Sequence, residues 1–255
     1  MRLVSLCPSL TELLHDLGAA DEVVARTKFC IHPAEWVAGI EKVGGTKNPK
    51  LDRIVQLAPD LVLMNEEENR REDADALRAA GIRVHSSMPR TAWDTAAMVR
   101  SIATAVGRAF AGERIAVEIE RNAERVRNAA SALPPVRYAY LIWREPWMTV
   151  SDDTFVGAML ELAGGVNVFG SRDTRYPTIT LDELRTANPD VVLLSSEPFP
   201  FGDRHAEEIE SATGIDRNRL VPADGELLSW HGSRTIAGID YAEQLLTAHR
   251  SQATN

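Results

Sequence analysis

Apolar residues recur along this chain with two periods, one helical and one that of a buried strand. Residues 3–6 are a short apolar run. After Cys7-Pro8-Ser9, the positions Leu10, Leu13, Leu14 and Leu17 share one helical face that stops at Gly18. Ser9 and Glu12 have the spacing of a capping box, in which hydroxyl and carboxylate satisfy each other's backbone donors. The same reading predicts strands at 23–29, 61–64 and 82–85, and helices at 51–57 and 70–80, the second stopped by Gly81. A second set follows, with strands at 138–143, 166–169, 191–194 and 219–221 and helices at 154–163, 181–187, 205–213 and 236–248. Such alternation predicts parallel sheets with helices on their faces.

The two sets echo each other. Leu51-Asp52 followed by Pro59-Asp60-Leu61-Val62-Leu63 returns as Leu181-Asp182 followed by Pro189-Asp190-Val191-Val192-Leu193, a shift of 130 residues. Each copy is a helix, a proline that stops it, an aspartate in the turn and a buried apolar strand, so two similar lobes are predicted. Between them, 93–106 and 113–130 carry helical spacing, with no proline in the second until Pro134-Pro135. A helix of about 20 residues spans about 30 Å, enough to cross the back of two lobes and resist wide hinge motion.

Charge narrows the partners. Lys and Arg number 28 against 37 Asp and Glu, a net charge of -9, which argues against a general nucleic-acid binder. No apolar run reaches the length of a membrane span, and residues 1–6 lack the regions of a secretory signal. As written the chain is expected in the cytoplasm, and in the periplasm or at the cell surface if a leader has been removed. Two cysteines, Cys7 and Cys30, are too few for a disulfide-dense scaffold or a four-cysteine zinc site.

Ligands of open α/β sheets bind beyond the carboxyl ends of the strands, so candidate chemistry is sought there. The first lobe offers Cys7, Phe29, Cys30, His32, Lys47 and Glu66-Glu67-Glu68; the second offers Trp143, Trp147, Arg175, Tyr176, Glu197, Trp230, His231 and Arg234. Rings interleaved with arginines suit a large, flat, partly apolar ligand, through stacking area and forked donors. Cys7, Cys30 and His32, with His231 nearby in type, are candidate ligands for a metal ion, although Cys-x-His lacks the paired spacing of a structural zinc motif. The acidic run reads as a solvated face or, with Glu197 at the equivalent place in the other lobe, as a dock for a basic partner. No nucleophile elbow and no Ser, His and Asp grouping stands out.

Leu3-Val4-Ser5-Leu6-Cys7-Pro8-Ser9-Leu10-Thr11-Glu12, the segment 51–63, Ala163-Gly164-Gly165-Val166-Asn167-Val168-Phe169, Tyr176-Pro177, and Ser229-Trp230 with Ser233-Arg234 together resemble the helical-backbone metal receptors. These are the substrate-binding proteins of ABC importers for cobalamin, haem and ferric siderophores, and the likeness is greatest to the cobalamin branch. It implies an α/β fold of two similar lobes, 1–108 and 134–255, joined by one long rigid α-helix at 109–133, with a ligand cleft between the lobes and no catalysis. It also implies an acidic residue on each lobe that meets a membrane permease. Arg71 stands where the first-lobe docking glutamate of the cobalamin branch aligns, so Glu67, Glu72 and Glu197 are the docking candidates.

The function expected from the sequence is therefore a monomeric, non-catalytic binding protein for cobalamin or a related metal chelate, requiring no cofactor. Its ligand contacts are Phe29, His32, Lys47, Trp143, Trp147, Arg175, Tyr176, Trp230, His231 and Arg234. The competing expectation is a metal-handling protein or metalloenzyme built on Cys7, Cys30, His32 and His231.

Overall fold

The computed structural model describes residues 1–250, which divide into two units: Met1–Pro89, Trp93–Glu120 and His231–Arg234 in the first, and the remainder in the second. The first begins with strand β1 (Leu3–Ser5), helix α1 (Pro8–Asp16), β2 (Val23–Arg26), α2 (Ala34–Val37), β3 (Glu41–Lys42) and α3 (Leu51–Gln56). It continues with β4 (Leu61–Asn65), α4 (Arg71–Ala79), β5 (Val84–Ser87) and α5 (Ala92–Ala105). Its five strands are all parallel, in the order β3-β2-β1-β4-β5. Helix α6 (Ala109–Ser131) is continuous, and the units divide within it, between Glu120 and Arg121. In the first unit, Arg100 of α5 holds both Glu113 and Glu120 of α6 through paired hydrogen bonds.

The second unit comprises β6 (Val136–Trp143), β7 (Met148–Thr149), α7 (Phe155–Leu162), β8 (Gly165–Asn167), α8 (Leu181–Ala187), β9 (Val191–Ser195), α9 (Asp203–Thr213), β10 (Leu220–Ala223), α10 (Gly225–Ser229) and α11 (Thr235–Arg250). Its sheet runs β10-β9-β6-β7, with β8 also pairing β6; every pair is parallel except the short β6–β7 ladder. Both cores lie between sheet and helices. One gathers Val4, Leu6, Val62 and Met64 with Ile54 and Leu77, the other Ala139, Leu141, Val192 and Leu194 with Leu184 and Ile209. Strands covered on both faces read as continuous apolar runs, which is why they were legible.

The echo is structural as well as sequential. Ala58 and Asn188, each just before the stopping proline, take left-handed backbone with φ of 45° and 40°, the conformation in which helices commonly end. Asp60 then accepts the amide of Arg2 at 2.6 Å, and Asp190 that of Arg137 at 2.8 Å. The carbonyls of the same two arginines accept the amides of Asp60 and Asp190 at 2.9 and 2.7 Å. Their guanidiniums cap the helix before: Arg2 on Leu57 O, Arg137 on Ala187 O and Asn188 O. Each circuit joins the end of a helix to the start of two neighbouring strands.

Two local expectations are corrected. Ser9 does not cap α1; Cys7 is the N-cap, without a side-chain cap bond, and Pro8 starts the helix, since its fixed φ and missing N–H suit the first helical position. Ser9 and Glu12 are thereby placed inside the helix with other partners. Residues 27–29 leave the predicted strand at a turn closed by Cys30 N to Thr27 O. The four-residue α2, the five-residue α10 and the two-residue strands β3 and β7 carry too few positions to show a period.

Because each arginine satisfies helix-end carbonyls, Arg2→Ala and Arg137→Ala are each expected to lower unfolding free energy by about 1–2 kcal/mol. Urea denaturation followed by circular dichroism checks this; unchanged midpoints would deny the circuits any energetic role.

Candidate functional site

In the first unit, β1, β2 and β4 deliver Cys7, Thr27 and Asn65 to the carboxyl edge of the sheet. Asn65 organises this edge. Its Oδ1 accepts the amides of Glu67 and Glu68 at 3.0 and 3.1 Å, while its Nδ2 reaches Ser87 O at 3.0 Å and His231 Nε2 at 3.2 Å. With Oδ1 occupied by two donors, Nδ2 is the donor toward the ring, so Nε2 of His231 accepts and the ring proton sits on Nδ1.

His231–Arg234 crosses one stripe of α1. His231 Nε2 lies 3.4 Å from Ser9 Oγ, Arg234 grips Glu12 with two hydrogen bonds of 2.7 Å, and Ser233 Oγ donates to Asp16. Gly232, at φ 107°, passes so close that a Cβ there would lie 3.4 Å from Leu13 Cβ. Residues 9, 12, 13 and 16 are the i, i+3, i+4, i+7 face of a helix. The capping-box pair read from sequence is thus engaged by a segment more than 200 residues away.

Phe29 and Ile31, in the loop after β2, are half exposed, and His32 precedes a cis peptide to Pro33. Lys47 donates from Nζ to Glu67 O at 2.6 Å. Cys7 and Cys30 are free thiols in the interior: Cys7 Sγ lies 3.4 Å from Ser9 Oγ, and Cys30 Sγ accepts from Thr11 Oγ1 at 3.0 Å. Burial pushes the Cys7 thiol up to about 12 and raises that of Cys30. Both stay protonated at neutral pH. Among the described residues no three His, Cys, Asp or Glu side chains gather for a metal ion. Cys7, Cys30 and His32 are thus not assembled into the ligand set that the sequence offered.

The second unit presents aromatics at the ends of β6 and β9. Trp143 meets Phe199 edge-on at 5.6 Å, Phe199 meets Phe201 at 4.9 Å, and Trp147 stacks on Phe201 at 6.0 Å and 15°. His205 closes the group against both phenylalanines, its pKa lowered chiefly by burial. Trp143 is 40% exposed and Tyr176 39%, whereas Trp230 is only 8% exposed. Trp230 donates from its indole to Glu197 Oε1 at 2.8 Å, beside Ser229 Oγ at 2.9 Å, so it positions a carboxylate rather than offering a ring face. Arg175 pairs with Asp153 at 3.2 Å, as Arg90 does, and Arg144 is forked onto Glu208.

Of the residues expected to bind ligand, Phe29, Trp143 and Tyr176 keep exposed rings. His231, Arg234 and Trp230 are held by partners inside their own units. Phe199 and Phe201 were absent from the expected contacts, yet they carry the rings between Trp143 and Trp147; Pro198-Phe199-Pro200-Phe201 was the available signal.

The sequence profile described as periplasmic binding protein matches residues 3–220. The chain belongs to the periplasmic binding protein family. Among curated members, the vitamin B12-binding protein of Vibrio campbellii is 24% identical over 238 residues, covering 93% of this chain and 86% of that one. That of Vibrio parahaemolyticus is 26% identical over the same shares of each chain. Among solved structures, the fold matches the periplasmic vitamin B12 binding protein BtuF of Vibrio cholerae with TM-score 0.85, 21% identity and 98% of each chain covered. It also matches the periplasmic heme-binding protein RhuT from Roseiflexus sp. RS-1 with TM-score 0.85, 24% identity and 99% of each chain. The chain therefore shares one α/β fold with binding proteins named for different ligands, vitamin B12 and heme.

Two predictions follow from the geometry. Glu12→Ala and Arg234→Ala should each cost about 2–4 kcal/mol, and the double variant should lose about 1.5–3 kcal/mol less than their sum; additive losses in denaturation would sink the pairing. For Cys7, the folded pKa lies above the unfolded one, so its contribution to stability is complete below the unfolded value of about 8.5 and is lost as pH rises. Stability should fall by about 1.4 kcal/mol per pH unit from this group until its folded pKa of about 12 is reached. Cys7→Ala should flatten that alkaline slope in urea titrations at successive pH values.

Proposed function

We propose that this chain captures cobalamin, or a related uncharged flat metal chelate, for an ABC importer and performs no chemistry on it. The observation that carries the proposal is the ladder Trp143–Phe199–Phe201–Trp147 at the strand ends, with Trp143 half exposed at its head. Such a ladder buries the face of a ring system at low entropic cost, because its members already hold one another.

Charge supports the uncharged member of the ligand class. Arg234 is forked onto Glu12, Arg175 and Arg90 share Asp153, Arg144 is forked onto Glu208, and Lys47 is bonded to a backbone carbonyl. A ligand bearing two carboxylates would have to compete with these internal acceptors, whereas amide-fringed rings need only polar contacts. Glu67 and Glu197 occupy matching places after β4 and β9, their amides bonded to Asn65 Oδ1 and Ser195 Oγ. They and Glu72, in the first turn of α4, are the groups we assign to docking a basic permease surface. The periplasmic names of the relatives favour the periplasmic alternative over the cytoplasmic one.

Cyanocobalamin titrated into the purified chain should quench tryptophan fluorescence saturably, with a dissociation constant of about 1 μM or below. Trp143→Ala should weaken it at least about tenfold, roughly 1.4 kcal/mol, and haem should bind more weakly than cobalamin. A flat titration would remove cobalamin, and tighter haem binding would overturn the charge argument.

A further inference from the structure

In the first unit, α4 and the edge strand β5 leave a cavity of about 450 Å³ at the carboxyl end of β4, within the usual size of small-molecule sites. Part of its lining is apolar, from Met64, Ala74 and Met88, and three guanidiniums, Arg70, Arg71 and Arg78, line it as well. Glu66 is the one carboxylate among the residues that line it.

The acidic partners of these arginines do not line the cavity. Arg70 is forked onto Asp73 at 3.0 and 2.9 Å, and Asp73 is buried; Arg78 donates to Asp75 at 3.0 Å. Both carboxylates fix guanidiniums that remain half exposed. Arg71 differs: it is 91% exposed and 3.8 Å from Asp75, beyond hydrogen-bond distance, and Asp75 already serves Arg78. Exposed ion pairs of this kind contribute little and exchange readily for a better acceptor. Two oriented forks, one solvent-exposed fork and an apolar surface match an oxyanion attached to an apolar body.

We propose that this cavity is a second binding site, for a small organic molecule carrying a phosphate or carboxylate group on an apolar body. The oxyanion lies between Arg71 and Arg78, near Arg70, and the body rests on Met88. The site is separate from the aromatic ladder, and it stands whether or not the chain binds cobalamin.

Amide NMR titrations with phenyl phosphate, benzoate, inorganic phosphate and phenol test it. Saturable shifts confined to α4, β5 and residues 64–66 are expected with phenyl phosphate or benzoate, and the stronger of the two identifies the oxyanion. Inorganic phosphate, lacking the body, and phenol, lacking the charge, should each bind at least about tenfold more weakly. Arg71→Gln with Arg78→Gln should weaken the organic anion at least about tenfold; if the pair fails to fold, Arg71→Gln alone, at a fully solvated position, should weaken it about threefold. No saturation by about 10 mM, unchanged affinity in the variants, shifts centred elsewhere, or displacement by cyanocobalamin would each overturn the site. Binding of the organic anion without binding of cyanocobalamin would leave this site standing and remove the proposed function instead.

Discussion

The register of the central strand against its neighbour decides which side chains emerge at the carboxyl edge of each sheet. In the first unit Leu3 pairs with Leu61, and in the second Tyr138 pairs with Val191. At the amino ends, Asp60 and Asp190 hold the amides of Arg2 and Arg137 and so pin both registers. A slip by one residue would turn every strand side chain to the other face of a sheet buried on both. With the register held, Asn65 and Ser195 reach equivalent ends, and each bonds the amide of a glutamate two residues on. The candidate binding surface of each unit is thus positioned by a turn at the opposite end of its strands.

What the two edges display is different. The first holds hydroxyls, thiols, amide and imidazole, most of them buried and bonded to one another, with Phe29 and Ile31 exposed beyond them. The second holds a run of rings that touch in sequence. Duplication of a frame does not require duplication of its edge, because core and turn circuits tolerate changes in loops that project past the strand ends. A frame shared with vitamin B12 and heme receptors accordingly says less about the ligand than the edge does.

The arginines illustrate how pairing alters function. Arg234 and Arg175 are of the type that grips anionic ligands, yet Glu12 accepts from Arg234 and Asp153 forms an ion pair with Arg175, each within its own unit. Arg71, set aside in the sequence as a departure from a docking pattern, is the least engaged member of the α4 group. A guanidinium is available to a ligand according to what its neighbours leave uncommitted, and those neighbours lie on other elements or other turns.

From the sequence by itself came the fold class, nearly all the longer elements, the repeat at 130 residues and the long helix that is α6. These are legible because helix period, buried-strand runs and proline stops are local patterns, written in consecutive residues. The tertiary structure alone decided that Ser9 and Glu12 serve His231 and Arg234 rather than a cap. It decided too that Trp230 supports Glu197, that Phe199 and Phe201 complete the ladder, and that the cysteines are sealed inside as thiols. Each of those outcomes depends on partners brought close by folding from distant parts of the chain, and a local pattern carries no record of which distant group will occupy a side chain's donors, acceptors or open face.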